Sequence, residues 1–513
     1  MRLLSAVLLS TALATGFAAT APSVFVPVAH AQATAGEVDV DALLKLLPTD
    51  KVTATYGSKS YDALSGITTI RDLKIADPKA PDRNFFAVQE VGLRGLDLAA
   101  FNHVFDFAGY GAAPDESFRQ LFGDIVIRNG SVNVEGQRVG SFEEILLGGT
   151  QMKQLAAKPP GQFGAPSDEK ASAQFLGALL DAAITGEIKV TNLTIEGGPE
   201  RASIKSLVFG GINRGQFGPS SIDTMESTAD GLTTKMASAE TEGADFTKVI
   251  PWLLKGEMPP VAPDSLLYFG KASVNGLSYE MDGSTVTIGS YTVDPVNFYW
   301  LVPSSLKLQI NDVYFKPAPG SSDGAAESLG EIGLDHLDID MGLEWAFDGA
   351  TGDASLKELR IAESQLFDVA LNFDLTGINL PMLIDPASAQ SSMLAIGVKA
   401  AQLFIRNNGG FDKLLAVAAK EQNSTPDAVR QMALGQLSQL EGGLPQPDGT
   451  LKPLSDRVKG IIASLKAFIT SPGTLTIKVN PATPINAMTG MGAMFDPISA
   501  ADTLGVTVES TPQ

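Results

Sequence analysis

The stretch "DHLDIDMGLEWAFDGATGDASLKELRIAESQLFDVALNFDLTG" (335–377) decides how this chain is read. From Leu337 onward every second residue is apolar: Leu337, Ile339, Met341, Leu343, Trp345 and Phe347. Between them stand Asp338, Asp340, Gly342, Glu344 and Ala346. Successive side chains on a strand point to opposite faces, so a period of two marks a half-buried strand. Two more strand-like runs follow, and the three together predict an antiparallel meander. The six apolar residues share one face, which either covers a core or lines a groove. A core is the commoner fate of such a face, and the helices predicted downstream need an apolar partner. On that expectation Trp345 is sealed under protein, and any groove lies elsewhere on the sheet.

Before this stretch the chain is mostly strand and turn. Runs at 66–77, 85–98, 123–136, 186–198, 201–211, 266–293 and 305–315 read as strands. Asn129-Gly130, Asn275-Gly276 and Asp282-Gly283 tolerate positive φ and predict hairpin turns. Helices are expected at 39–48, at 171–185 and at 244–256, the last broken by Pro251. Beyond about 392 the pattern turns helical, at 409–422, 424–440 and 455–470. Thr425 suits a helix cap there, and Pro426 the first turn. Short strands at 474–480 and 504–510 close the chain. Pro/Gly-rich stretches at 158–170 and 255–265 read as boundaries, and 316–328 as an exposed loop. The predicted division is a leader at 1–31, a β-rich region at 32–160, an α+β region at 171–255, a meander at 264–391, and a helical region with closing strands at 392–513. The fold class is α+β and β-rich, with extended, largely antiparallel sheets and carboxy-terminal helices packed against them.

A six-residue pattern, apolar-polar-polar-apolar-polar-apolar, recurs at 70–75, 93–98, 190–195, 274–279, 334–339 and 356–361. With 44% apolar residues, roughly seven such hits arise by chance, so the count alone establishes no repeat.

Composition narrows the setting. Arg2, the apolar run from Leu3 to Ala19 and the small residues of "AHAQA" make a secretory signal peptide, with cleavage expected after Ala31 or Ala33. There are no cysteines, so neither disulfides nor a lipid-modified cysteine is available. No second apolar run approaches the ~18 residues of a membrane span, which predicts no transmembrane anchor after cleavage and a periplasmic location. Lys and Arg number 37 against 58 Asp and Glu; without Arg2 the balance is 36 − 58 = −22. That charge argues against nucleic acid and against anionic lipid headgroups as electrostatic partners.

Catalytic material is sparse. Past the leader the histidines are His103 and His336, neither beside a nucleophile motif. No G-x-S-x-G, H-E-x-x-H, P-loop or G-x-G-x-x-G occurs. "SDEK" (167–170) fits S-x-x-K only in form, inside a Pro/Gly stretch. Asp338, Asp340 and Glu344 share a strand face; a solvated acidic face explains them without glycosidase chemistry. "DVDA" (39–42) and "DIDM" (338–341) lack the glycine turn and distal Glu of a calcium loop. The sequence thus predicts no catalytic residues, no cofactor and no metal site. It leaves the apolar face as the candidate site, with a lipid or an envelope protein as partner; a hydrolase of an envelope polymer and a purely structural protein are the alternatives.

The alternating strands, the phrase "VTNLTI" (190–195), the leader and the ending "ITSPGTLTIKVNPATP" (469–484) resemble uncharacterised exported proteobacterial proteins. More distantly they are similar to the AsmA-like and YdgA-like periplasmic families. The likeness runs in style from 66 to 513. It implies envelope maintenance or lipid handling, and carries over no catalytic residues.

Overall fold

The computed structural model describes residues 36–45, 47, 51–105, 114–158, 169–198, 200–261, 264–294, 296–320, 324–380, 382, 395–445, 451–486 and 497–512. The leader lies outside the described residues. The chain divides into two compact units, one of residues up to 230 with 240–260, the other of 231–239 with 261–513.

In the first unit a short helix, α1 (Val40–Leu44), precedes the edge strands β1 (Thr53–Thr55) and β2 (Ser58–Asp62), which both pair with β3 (Ile67–Ala76). The sheet continues antiparallel through β4 (Phe85–Arg94), β5 (Ile125–Val134), β6 (Gln137–Leu147), β7 (Ile188–Gly197), β8 (Glu200–Phe209) and β9 (Ser220–Ala229). Val40 of α1 is buried against Ile70, Val88, Val91 and Leu93. A second core gathers Ala100 and Val104 of α2 (Leu98–Val104) with Leu121, Met152, Leu155 and Ala182 of α3 (Glu169–Ala182).

Strict alternation fails in these strands, and it fails at one level. Asp72, Asn129, Asn192 and Thr224, in β3, β5, β7 and β9, have φ of 56°, 53°, 50° and 49°. The pairs Val88–Gly130 and Glu90–Arg128 bracket Gln89 opposite Asn129. In the same way Glu143 lies between Asn129 and Asn192, and Lys205 between Asn192 and Thr224. The row is tied by Asn129 Nδ2 donating to Gln89 Oε1 at 2.6 Å and Asn192 Nδ2 donating to Glu143. At this level two consecutive residues face solvent, such as Arg128 and Asn129, and the apolar set then resumes on its original face. Apolar spacing becomes two-three-two, as in Phe86, Val88, Val91 and Leu93. Beside the row, Arg71, Glu90, Arg128 and Glu144 form a ladder of cross-strand ion pairs.

These left-handed residues correct two expectations. Asn129-Gly130 is not a hairpin turn but lies inside β5, and the turn sits at Glu135-Gly136. Asn275-Gly276 is likewise within a strand, whereas Asp282-Gly283 does turn the chain. Tolerance of positive φ is what both a type I′ turn and a mid-strand break require, so the dipeptide alone does not choose between them. Asp72, Asn192 and Gly276 are also the third residues of three of the six recurring hexapeptides, which gives those three a physical meaning that counting missed.

The second unit runs antiparallel through β10 (Ala272–Met281), β11 (Ser284–Asp294), β12 (Ser305–Lys316), β13 (Leu337–Asp348), β14 (Asp353–Glu363), β15 (Phe367–Thr376), β16 (Gly397–Asn407), β17 (Thr474–Val479) and β18 (Thr507–Thr511). Here too Gly276, Gly289 and Asp312 lie opposite one another, with φ positive at Gly276 and Asp312. The break ends as a register shift between Ile310 and Val313 against β13. A short helix at Ala325–Glu331 takes up the end of the stretch expected as an exposed loop, and beyond β16 come α4 (Gly410–Glu421), α5 (Pro426–Leu440), α6 (Asp456–Thr470) and α7 (Pro497–Thr503). Thr425 caps α5 and Pro426 opens it, as expected; Ser455 caps α6. Ile462 and Phe468 of α6 are buried, Phe411 meets Phe468 edge to face at 5.6 Å, and α6 lies against β17 and β18. In the first unit Pro251 occupies the opening turn of the helix Ile250–Lys255 rather than breaking a longer one.

Candidate functional site

Directly opposed residues in an antiparallel sheet share a face, so the register shows what surrounds the six apolar residues of β13. Met341 stands between Ile310 and Ile361, and Leu343 between Leu308 and Leu359. The first row continues through Val369, Ile405 and Leu475, the second through Leu371, Leu403 and Ile477. Each row crosses six strands, β12 to β17, on apolar side chains alone. With strands about 4.8 Å apart, five steps span roughly 24 Å.

The rows are closed on the β17 side and at both strand ends, run on past β12 to Val293 and Tyr291, and are open at their centre. Leu475 is buried beside α6. Phe347, Ala354, Ile378 and Leu380 are buried with Trp300, closing one strand end. At the other end, the Glu363 carboxylate accepts N–H bonds from Asp338 and Gln365, and Asn407 Oδ1 accepts from Gly409 and Phe411. Between these margins Leu359 is 41% and Ile361 52% exposed. Of the six residues singled out in the sequence, only Phe347 is buried; Leu337, Ile339, Met341, Leu343 and Trp345 are half-buried. Trp345 packs against the Phe347 cluster without being sealed by it. The opposite face carries ion pairs, Glu344 with Lys357 and Asp368 between Arg360 and Arg406.

The histidines stand elsewhere. His103 Nε2 lies 3.0 Å from Asp115 Oδ2, while the Ser117 hydroxyl donates to Asp115 Oδ1 at 2.6 Å. The carboxylate sits between serine and imidazole, whereas nucleophilic catalysis needs the base to touch the hydroxyl. The Ser117 hydroxyl and N–H, with Arg119 and His103, hold Asp115 far below the usual carboxylate range. His336 Nδ1 contacts Asp335 Oδ1 at 2.6 Å, and its ring lies 5.1 Å from that of Tyr314. A cavity of about 270 Å³ is lined by Gly276, Gly289, Asp312, Tyr314 and Asp338, and one of about 430 Å³ by Tyr299 and the turns around Gly352 and Gly377. Neither cavity contains a histidine.

Sequence reasoning passed over Lys153. Its side chain is 7% exposed and contacts both Glu116 and Asp181; Asp181 also takes Arg214 Nη2 at 2.6 Å. Burial opposes charge on Asp181, yet Lys153 and Arg214 outweigh it and hold the carboxyl below its ordinary value. A lone lysine in "TQMKQL" gives no sign of Glu116, 37 residues upstream, or of Asp181 downstream, and only the fold joins them.

A family model described as "Uncharacterized protein" matches residues 360–511. No curated protein and no solved structure matches the chain. The matched segment lies within the second unit, beginning midway along β14 and taking in α4 to α7. Among the described residues no helix is long and apolar enough to cross a membrane, and no cluster of three or more His, Asp or Glu could hold a metal ion.

Proposed function

We propose that this is a non-enzymatic periplasmic protein of the cell envelope that receives the hydrocarbon part of a lipid on the apolar rows of β12 to β17. The observation that carries the reading is the pair of rows itself, uninterrupted over six strands and exposed at Leu359 and Ile361. A protein partner is the weaker occupant. Protein interfaces carry about one hydrogen bond per 100–200 Å², and these rows offer no polar side chain to make one. Hydrocarbon needs none. The exported proteins and the AsmA-like and YdgA-like families that the sequence resembles fit the same setting.

The test is native mass spectrometry of the protein purified from its own periplasm, compared with Leu359→Asp and Ile361→Asp. Both positions are open enough for a new carboxylate to stay hydrated, so both variants should fold with unchanged melting temperature. A lipid adduct on the wild-type protein, lost in the two variants, is the expected result. A wild-type protein that carries no lipid and takes up none from phospholipid vesicles would overturn the reading.

A further inference from the structure

The last strand of the second unit has one edge on β17, through pairs from Thr474–Thr511 to Lys478–Thr507. Among the described residues its other edge meets side chains rather than a strand. Ser464 Oγ of α6 donates to the Val508 carbonyl at 2.6 Å, and Arg457 Nη1 donates to the Val506 carbonyl at 3.2 Å. Carbonyls two residues apart point to the same side of a strand, so both belong to the edge that β17 does not occupy. Arg457 is itself held, with its Nε 3.3 Å from Asp502 Oδ1, and Asp502 also receives the Ser455 hydroxyl. The strand has little deterrent of its own. Its sequence is Thr-Val-Glu-Ser-Thr, and its one charge, Glu509, is spent on Lys478 within the sheet. The edge strands of the first unit differ: β1 and β2 are separated at Gly57, and β2 carries Lys59; an interrupted edge and a lysine are common defences of a sheet edge.

We infer that α6 is an edge guard, whose Ser464 and Arg457 occupy the acceptors through which β18 would otherwise pair with β18 of a second copy of this chain. A second copy is the fitting occupant because the two-fold pairing is self-complementary. The row Leu403–Ile477–Val508 would run on into the second copy's Val508, so the new contact extends an apolar face already present.

The experiment is light scattering after gel filtration over a concentration series, on the full mature chain. Arg457→Ala/Ser464→Ala should show an apparent mass that rises with concentration to twice that of the wild-type protein. Adding Ser510→Pro should restore wild-type behaviour, because residue 510 shares the outward parity of 506 and 508, and a proline there blocks strand addition while sparing β17. Should the double variant lose helix content by circular dichroism, Ser464→Ala alone opens the Val508 carbonyl and gives the same reading. A folded variant whose mass follows the wild type at every concentration overturns the inference, and so does association that Ser510→Pro leaves intact.

Discussion

Strands β3 to β12 and the regular strands β13 and β15 draw on the same residue types, yet their apolar faces keep different periods; β14, with Leu356 and Leu359 three apart at a register shift, follows the interrupted pattern without a left-handed residue. In the first group a left-handed residue in β3, β5, β7, β9, β10 and β12 interrupts the pleat, and apolar positions run two-three-two. In β13 the period is two from Leu337 to Phe347. Both solutions hold one face apolar and the other polar. The interrupted strands place two neighbouring polar residues on the solvent side at the break, which supplies the Arg71–Glu90–Arg128–Glu144 ladder. The strands from β13 to β16 also pair charges on their polar face, Glu344 with Lys357 and Asp368 with Arg360 and Arg406, while their other face joins into the apolar rows that are the candidate site. The difference teaches that a break in alternation need not end a strand.

The largest effect separates the closed end of the apolar rows from their open centre. Phe347 is 5% exposed among Trp300, Ala354, Ile378 and Leu380. Phe347→Ala should lower stability by about 3–5 kcal/mol, the usual cost of emptying a buried aromatic site. Ile361→Ala, at the centre of the rows, should cost under about 1 kcal/mol because water already reaches that side chain. Chemical denaturation of the two variants checks both values. Equal losses would mean that the centre is as tightly packed as the end.

What was legible in the sequence follows the same division. The strand at 337–347 and the helix at 424–440 were readable because an uninterrupted period and the cap residue Thr425 are local signals. The strands before them were found, but their turns were misplaced where Asn-Gly served a mid-strand break. The hexapeptides at 70–75, 190–195 and 274–279, with Asp72, Asn192 and Gly276 third, were the trace of that break. They were diluted by "LRGLDL" (93–98), whose left-handed Gly95 lies beyond β4, and by "LKELRI" (356–361), which lacks a left-handed residue. The site was half legible. Six residues of one strand could be named, but the rows through Leu359, Ile361, Leu371 and Leu403 depend on register, which no single strand encodes.

A pair of substitutions with opposite signs tests the contrast directly. Asn192 holds φ near 50°, so Asn192→Val forces a branched side chain into the left-handed region at about 1–2 kcal/mol and removes the amide donated to Glu143. Gly342 of β13 sits in ordinary strand conformation, and the nearest atom to an added Cβ would be Arg360 Cβ at 3.8 Å. Gly342→Val should therefore be neutral or stabilising by up to about 1 kcal/mol. Thermal melts that fall for both variants would show that β13 shares the irregularity of β7.

The smallest effect concerns acid, and it sharpens the comparison of the first unit with the apolar rows of the second. Asp115 and Asp181 both have carboxyls held below their unfolded value, Asp115 by Ser117, Arg119 and His103, and Asp181 by Lys153 and Arg214 against the opposing pull of burial. A depressed carboxylate contributes stability that is full above its unfolded pKa of about 4 and is lost as pH falls through the folded value. Lys153 shifts the other way: burial lowers its pKa, the two carboxylates raise it further, and the net rise places its own linkage on the alkaline side. Protonating Asp181 nonetheless leaves the buried ammonium short of a partner, so the acid limb weakens the packing around α3. The rows Ile310–Leu475 and Leu308–Ile477 contain no ionisable side chain. Amide hydrogen exchange followed from pH 7 down to about pH 3 should show α3 and residues 114–122 losing protection before β13 to β16. In Lys153→Met the stability of the first unit at neutral pH should fall and its acid dependence should flatten, because Asp181 then keeps only Arg214. Simultaneous loss of protection in both regions would mean that the Lys153 cluster does not set the acid limit of the first unit.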